Sequence, residues 1–352
     1  MSDKPLDIVI PKVGTRAQRV NGGIADFLAN HPDLKLGGPE GYTVERRKHM
    51  EVLSIHRLPI PKVHPIHTVE FTAIRGPHGT IPIRVLYPSN GEARRTVCEM
   101  GGLIYFHGGG YCTGSVDEFE NGLRLLAEKS ACVIFAADYK LAPEFQYPTQ
   151  LDEYDAVIDW ILDGAGRHRG VHPGRVAVAG DGVGGNLATA ICMRRRDEGK
   201  ARVACQVLFY PATSLPTDTP AAEENRSGYY LHSNGIFGFA DHYLPHTIDA
   251  PSPTHKYVAP GVQPCERLVF LPPAVVVTNG FDPLRDVGLA YANKLREVRR
   301  LASWLHFSDL IHGWLQMTAW SAAARDATRE VGLAIRRLLY GENVESVELS
   351  IH

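Results

Sequence analysis

Between residues 102 and 309 the chain alternates short apolar runs with segments of helical periodicity, and this alternation limits the fold more than any other feature. The apolar runs carry no regular polar alternation, which indicates strands that are buried on both faces. Strands of this kind, joined by helices, form a mostly parallel sheet with helices on both sides. The predicted strands are 102–106, 132–138, 175–180, 205–211, 274–280 and 302–309, and the predicted helices are 117–130, 148–164, 186–199, 284–300 and 318–339.

Two regions interrupt the α/β pattern. Residues 1–60 contain two helix-like stretches without a strand pattern, and residues 213–260 are rich in proline, aromatic residues and short helical pieces. A long excursion inside a compact α/β domain is usually functional, so we interpret both regions as parts of a lid. Residues 68–88 read as a β-hairpin. The predicted division is a cap segment (1–60), a core (61–212), an inserted cap segment (213–260) and a second core part (261–352).

Composition excludes several classes of function. The 352 residues are 44% apolar and carry a net charge of -2, so the chain can bury a sizeable core and has no long-range attraction for nucleic acid. The six cysteines contain no CxxC pair, and we expect neither a metal site nor a cofactor. The N-terminus lacks an apolar signal region and no apolar run approaches the length of a membrane span. We therefore expect a cytoplasmic protein without a membrane span.

Candidate functional residues follow the predicted strands, because ligands in open α/β sheets bind at the carboxyl ends of the strands. The strand 102–106 leads to His107 and the glycine run 108–110. A glycine run can present backbone N–H groups to an oxyanion, and a flexible turn is the simpler alternative. Asp282 follows the strand 274–280, where its carboxylate can orient a histidine or cap the next helix. His312 lies just after the last strand.

The sequence GDGVGG, residues 180–185, joins the strand 175–180 to a helix. Small residues two positions on either side of Gly182 match a nucleophile elbow, a sharp turn that exposes a catalytic side chain. Glycine suits the unusual backbone of such a turn but supplies no nucleophile. A phosphate loop is a weak alternative, because the turn has no basic residue and Asp181 would repel a pyrophosphate. The chain order of elbow, Asp282 and His312 is that of α/β-hydrolase triads.

Together these motifs resemble the hormone-sensitive-lipase-like branch of the α/β-hydrolase esterases, from about residue 68 onward. HGGG at 107–110 is similar to the oxyanion motif of that family, and DYKLAPEFQYP at 138–148 is similar to its DYRLAPE segment, with Lys140 in place of arginine. NGFDPLRD and IHGW are similar to its acid and histidine motifs. The resemblance implies the α/β-hydrolase fold, with a mostly parallel sheet, helices on both faces and a two-part helical cap over an acyl pocket.

The resemblance also implies roles for individual residues. Asp282 would be the triad acid and His312 the base, and Gly182 stands at the position of the nucleophilic serine. The implied oxyanion donors are the backbone N–H groups of Gly108, Gly109 and Val183. We assign substrate contact to Tyr111, Tyr230 and Trp314, for which packing in the lid or core is an equally simple explanation.

A replacement for the missing serine is not evident. The chain contains no other serine in a GxSxG context, and neither Cys112 nor Ser115, near the oxyanion loop, lies on an elbow. Loss of the nucleophile costs a serine hydrolase about 10⁶ in kcat, whereas the oxyanion hole and binding retain roughly 10³–10⁴ over water. We therefore expect a carboxylesterase-like chain that binds a small-molecule ester and is nearly inactive.

Three interpretations of Gly182 stay open. The serine of an esterase could have been removed deliberately, which the otherwise intact motifs favour. The chain could instead be a natural small-molecule receptor, as the gibberellin receptors are, although in those proteins the altered triad position is the histidine. A third interpretation is changed chemistry, in which His312 activates a water molecule or moves a proton. A homodimer is compatible with the resemblance, because this family often pairs through its last strand or helix.

Overall fold

One eight-stranded sheet forms the centre of the computed structural model, which describes residues 8–215 and 218–341. The outer parts of the predicted first cap segment and second core part, residues 1–7 and 342–352, lie outside the described residues. The strands are β1 (Thr68–Gly76), β2 (Gly79–Tyr87), β3 (Met100–Phe106), β4 (Cys132–Ala137), β5 (Val171–Asp181), β6 (Cys205–Phe209), β7 (Ala274–Phe281) and β8 (Leu301–Ile311).

Their spatial order is β1-β2-β4-β3-β5-β6-β7-β8. The β1–β2 and β2–β4 pairs are antiparallel, and every pair from β4 to β8 is parallel. Every residue of β3, β4, β6 and β7 is buried, as expected for parallel strands covered on both faces. The predicted α/β class and the mostly parallel sheet are therefore confirmed.

Eleven helices connect or flank these strands in the described residues. A turn of 3₁₀ helix at Trp314–Met317 precedes the last helix, which begins later than predicted because the Ser321 hydroxyl caps it by accepting from the Ala324 N–H at 3.2 Å. The helices are α1 (Gly22–Asn30), α2 (Tyr42–Leu53), α3 (Glu92–Thr96), α4 (Val116–Ser130), α5 (Thr149–Trp160), α6 (Gly166–His168), α7 (Val183–Asp197), α8 (Pro220–Glu224), α9 (Ser233–Tyr243), α10 (Arg285–Glu297) and α11 (Ala322–Tyr340). In residues 8–215 and 218–341, no helix is long and apolar enough to cross a membrane.

Two segments that are distant in sequence meet beside the carboxyl ends of the strands. The Leu36 N–H donates to the Tyr230 carbonyl at 2.9 Å, and the Leu36 carbonyl accepts from the His232 N–H at the same distance. Next to this bridge Gly37 packs directly against Gly235 at the start of α9, with no room for a side chain between the two backbones. These contacts join the region of α1 and α2 to the region of α8 and α9.

The close approach of Gly235 to Gly37 predicts that alanine substitution has opposite effects on stability at two glycines of α9. A Cβ at position 235 would overlap the Gly37 backbone, whereas a Cβ at Gly238, on the exposed face of the same helix, would meet no atom within 4 Å. We expect Gly235→Ala to lower the free energy of unfolding by about 1–3 kcal/mol through overpacking. Gly238→Ala should raise it by about 0.5–1 kcal/mol, because alanine favours a helix interior. Urea unfolding of both variants tests this, and equal effects would contradict the contact.

Candidate active site

The turn between β5 and α7 holds Gly182 in a backbone conformation that side chains rarely adopt, with φ of 52° and ψ of -115°. The Gly182 N–H donates to the Phe209 carbonyl at 3.0 Å, and the Gly182 carbonyl accepts from the Ala212 N–H at 2.9 Å. Two positions later the backbone passes so close to the Phe106 carbonyl oxygen that any Cβ on Gly184 would overlap it. The turn is therefore fixed by backbone contacts and has the sharp shape expected of an elbow.

His312 and Asp282 form a buried pair beside this turn. Asp282 follows β7 and His312 follows β8, so the parallel sheet brings both to one edge. The imidazole Nδ1 lies 3.0 Å from the Asp282 Oδ2 atom, and the Leu284 N–H donates to Asp282 Oδ1 at 2.8 Å. In the neutral imidazole, the proton that Asp282 accepts is on Nδ1, so Nε2 keeps a lone pair. An ideal Cβ on Gly182 would lie 3.0 Å from Nε2, so the lone pair faces position 182.

The glycine loop after β3 lies against the elbow, but the N–H of its first glycine already donates a hydrogen bond within the protein. The Gly108 N–H donates to the Asp181 Oδ1 atom at 2.6 Å, and the Tyr105 hydroxyl donates to the same oxygen at 2.6 Å. Burial raises the pKa of Asp181 to about 6, although the two hydrogen bonds and the electrostatic interaction with His312 favour the ionised form. The expectation that Gly108 supplies an oxyanion N–H is corrected by this structure, because the buried carboxyl group takes that donor.

The next two glycines have the free donors instead. Gly109 and Gly110 both adopt positive φ, 110° and 63°, and both line the large cavity next to Gly182 and His312. Within the described residues, the N–H groups of Gly109, Gly110 and Val183 donate to no acceptor. Val183 is the first residue of α7, where helix geometry leaves the N–H without an internal partner. Gly109, Gly110 and Val183 therefore line the same cavity as Gly182 and His312.

The cavity, together with the open space at its mouth, has a volume of about 710 Å³, and its lining is mostly apolar. Tyr111, one of the predicted substrate contacts, lines it and stacks on Tyr243 with ring centroids 3.7 Å apart. Among the described residues, no Asp, Glu, Lys or Arg side chain lines this cavity. The residues that line it include Leu36, Ser214, Leu215, Leu231, Ile236, Phe239, Leu244, Val258 and Leu284.

The other two aromatic residues predicted to contact substrate do not line the large cavity. Trp314 is fully buried, and its indole N–H donates to the Asn279 Oδ1 atom at 2.8 Å, so it belongs to the core. Tyr230 is also buried and lines a second, smaller and more polar cavity. The Trp314 assignment is corrected, because its side chain packs in the core. Substrate contact by Tyr230 stays a prediction, because Gly109 and His312 also line its cavity.

The second cavity contains buried titratable groups that the sequence did not single out. The Glu118 Oε2 atom lies 3.8 Å from His49 Nδ1 and accepts from the Gln316 Nε2 amide at 3.2 Å. Burial raises the pKa of Glu118 to about 8 and lowers that of His49 to about 4. Asp181 lines the same cavity and its negative charge further raises the pKa of Glu118.

Neither side chain considered as a replacement nucleophile lines the large cavity. Burial raises the pKa of the Cys112 thiol to about 12, so it is not a thiolate at neutral pH. The Ser115 hydroxyl donates to the Glu118 Oε1 atom at 3.3 Å. In residues 8–215 and 218–341, no group of three or more His, Cys, Asp or Glu side chains is arranged to hold a metal ion.

Comparison with known families identifies the fold around this site. Residues 103–316 match the family model described as the alpha/beta hydrolase fold. This chain belongs to the α/β-hydrolase family. The hydrolase is 34% identical over 284 residues to "Esterase LipI" of Mycobacterium tuberculosis, which covers 81% of this chain and 86% of that protein. It is 31% identical over 351 residues to "Carboxylic ester hydrolase LipN" of the same organism. That alignment covers 93% of this chain and 89% of that protein.

Solved structures of esterases have the same fold as this hydrolase. An esterase of the hyperthermophilic archaeon Pyrobaculum calidifontis superimposes with a TM-score of 0.78 and 30% identity over 91% of this chain and 99% of that one. A thermostable esterase of Pseudomonas putida gives a TM-score of 0.81 and 27% identity over 92% of this chain and 98% of that one. These relatives are consistent with the resemblance to hormone-sensitive-lipase-like carboxylesterases and support a carboxylic-ester hydrolase type of site.

Burial of Glu118 in the hydrolase predicts a dependence of stability on pH. The free carboxyl group ionises near 4.5, whereas the folded chain retains its proton to about 8. The contribution of Glu118 to the free energy of unfolding is fully present below pH 4.5 and is lost as the pH rises through 8. Between these values the free energy of unfolding falls by about 1.4 kcal/mol for each pH unit. Urea unfolding between pH 5.5 and 7.5 should therefore show a shallower loss of stability in Glu118→Gln than in the unmodified chain.

Glu51→Gln, on the exposed surface of α2, is the matched control for this measurement and should leave the pH dependence unchanged. An identical slope in Glu118→Gln and in the unmodified chain would contradict a buried, protonated Glu118.

Proposed function

We propose that this hydrolase binds an uncharged small-molecule carboxylic ester in the large cavity, with the ester carbonyl beside position 182. The observation that carries the proposal is the approach of His312 Nε2 to within 3.0 Å of the place where a side chain on Gly182 would begin. A serine there would have its hydroxyl beside a general base that Asp282 already orients. The site therefore has the geometry of acyl transfer, without the nucleophile.

The N–H groups of the glycine loop and of the start of α7 support a position for the ester carbonyl oxygen. Gly109, Gly110 and Val183 line the cavity on the side of Gly182, and three donors are suited to the negative charge that develops on that oxygen. Gly108 would act indirectly, because its hydrogen bond to Asp181 holds the glycine loop against the elbow. We therefore assign Gly109, Gly110 and Val183 as oxyanion donors and Gly108 as a positioning residue.

The apolar lining supports a class of substrate. Transfer of an ionised group from water into an apolar cavity without a partner is unfavourable, and the cavity wall offers no opposite charge among the described residues. Aromatic surfaces from Tyr111, Phe239 and Tyr243 favour a flat apolar group. We infer that uncharged aryl or medium-chain esters bind, and that esters with a carboxylate or ammonium group bind weakly.

The two cap regions would close this cavity from above. Leu36 comes from the segment before the core, and Phe239 and Tyr243 come from α9 in the insertion. We propose the division into a cap formed by 1–60 and 213–260 and a core formed by 61–212 and 261–352. A pure receptor role is the second candidate, favoured by an apolar cavity without a nucleophile, but it gives no reason for the buried His312–Asp282 pair.

Restoring the nucleophile tests the proposed function. Gly182→Ser places a hydroxyl next to His312, so the kcat for p-nitrophenyl esters should rise by several orders of magnitude, up to about 10⁶. Gly182→Ser combined with His312→Gln is the control and should lose this gain. Steady-state kinetics with neutral and carboxylate-bearing esters of equal length would also show lower KM for the neutral ones. A folded Gly182→Ser chain that is no faster than the glycine form would contradict an esterase site.

A further inference from the structure

Gly180 and Gly184 of the elbow are packed against neighbouring backbone, whereas Gly182 is not. A Cβ on Gly180 or Gly184 would overlap neighbouring backbone atoms, whereas a Cβ on Gly182 would meet only the Nε2 and Cε1 atoms of His312, at 3.0 and 3.4 Å. The space beyond the Gly182 Cα therefore has one polar wall, the imidazole, and opens into the large cavity. A small polar molecule in this space would contact the lone pair of a base.

We propose that this space receives a water molecule, which His312 deprotonates as it attacks a bound aryl ester, so that the chain hydrolyses the ester in a single displacement. The inference rests on the proposed function, because it uses the same cavity and the same oxyanion donors. It differs from serine catalysis in that no acyl group is ever attached to the protein.

The geometry places the reacting groups in reach of one another. A water oxygen cannot approach the Gly182 Cα as closely as a bonded Cβ, so it would lie farther out, near the place of a serine hydroxyl. A general base acts at about 2.6–3.2 Å, and Nε2 is 3.0 Å from the inner edge of this space. Asp282 fixes the imidazole through Nδ1, so Nε2 is the atom that accepts the proton.

The proposed reaction balances with one ester and one water. Nε2 of His312 takes a proton from the water while its oxygen bonds to the ester carbonyl carbon. The carbonyl electron pair moves onto the oxygen, where the N–H groups of Gly109, Gly110 and Val183 stabilise it. Collapse of this intermediate breaks the carbon–oxygen bond to the phenol, which leaves with that electron pair and takes the proton from Nε2. The products are a carboxylic acid and a phenol.

The chemistry also selects the substrate. Water activated by a neutral imidazole is a modest nucleophile, so the reaction needs a leaving group that departs readily, as a phenolate does and an alkoxide does not. Burial raises the pKa of the Tyr111 and Tyr243 hydroxyls, which therefore stay protonated and are poor nucleophiles in the same cavity. Aryl esters with acidic phenols are the predicted substrates.

Gly182→Ala tests the water site, because a methyl group fills the space next to Nε2 and adds no nucleophile. With p-nitrophenyl acetate we expect Gly182→Ala to lose about a hundredfold in kcat, the lower end of what a general base contributes. His312→Gln in the unmodified chain should lose a similar factor. Gly238→Ala, an equal change on the exposed face of α9, should retain the full rate. Thermal unfolding and circular dichroism establish that each variant is folded.

Intact-protein mass spectrometry during turnover supplies a second readout that does not need the alanine variant to fold. We expect no acyl adduct on the unmodified chain. An acyl adduct on Ser214 or any other residue would overturn the inference, as would full activity in folded Gly182→Ala or in His312→Gln. Binding of a neutral ester, measured by competition, separates the two proposals. If the ester binds but is hydrolysed no faster than in buffer without protein, the water mechanism alone is overturned. If the ester does not bind, the proposed function is overturned.

Discussion

The buried carboxyl group of Asp181 sets the distance between the two halves of the site. It accepts hydrogen bonds from the Tyr105 hydroxyl on β3 and from the Gly108 N–H just after β3, while its own backbone leads directly into Gly182. Strands β3 and β5 are parallel neighbours, so this link joins their carboxyl ends. The glycine loop is thereby held against the elbow, and Gly109 and Gly110 line the same cavity as His312.

Much of the fold could be predicted because local patterns determine it. Apolar runs without alternation indicate buried parallel strands, and the structure has all six of them together with the hairpin. The chain order of elbow, Asp282 and His312 also follows from local motifs, and the structure brings their side chains and backbone together. These features depend on residues that are close in sequence or at the ends of neighbouring strands.

The corrections concern contacts that sequence patterns do not contain. The path of the loop decides which glycine of the run 108–110 donates to Asp181. In the structure it is Gly108. Trp314 follows His312 closely, yet its indole turns into the core toward Asn279. The Glu118–His49 contact joins helices α4 and α2, which are far apart in the chain, so neither residue carried a recognisable pattern.

We propose that position 182 is the nucleophile position of a hydrolase site. The most direct measurement is mass spectrometry of the Gly182→Ser chain after reaction with a neutral aryl phosphonate, which labels a serine that a general base activates. The structure predicts one phosphonyl group on the peptide that contains position 182, and no label when His312 is replaced by glutamine. Absence of label on folded Gly182→Ser, or a label on another residue, would contradict the claim.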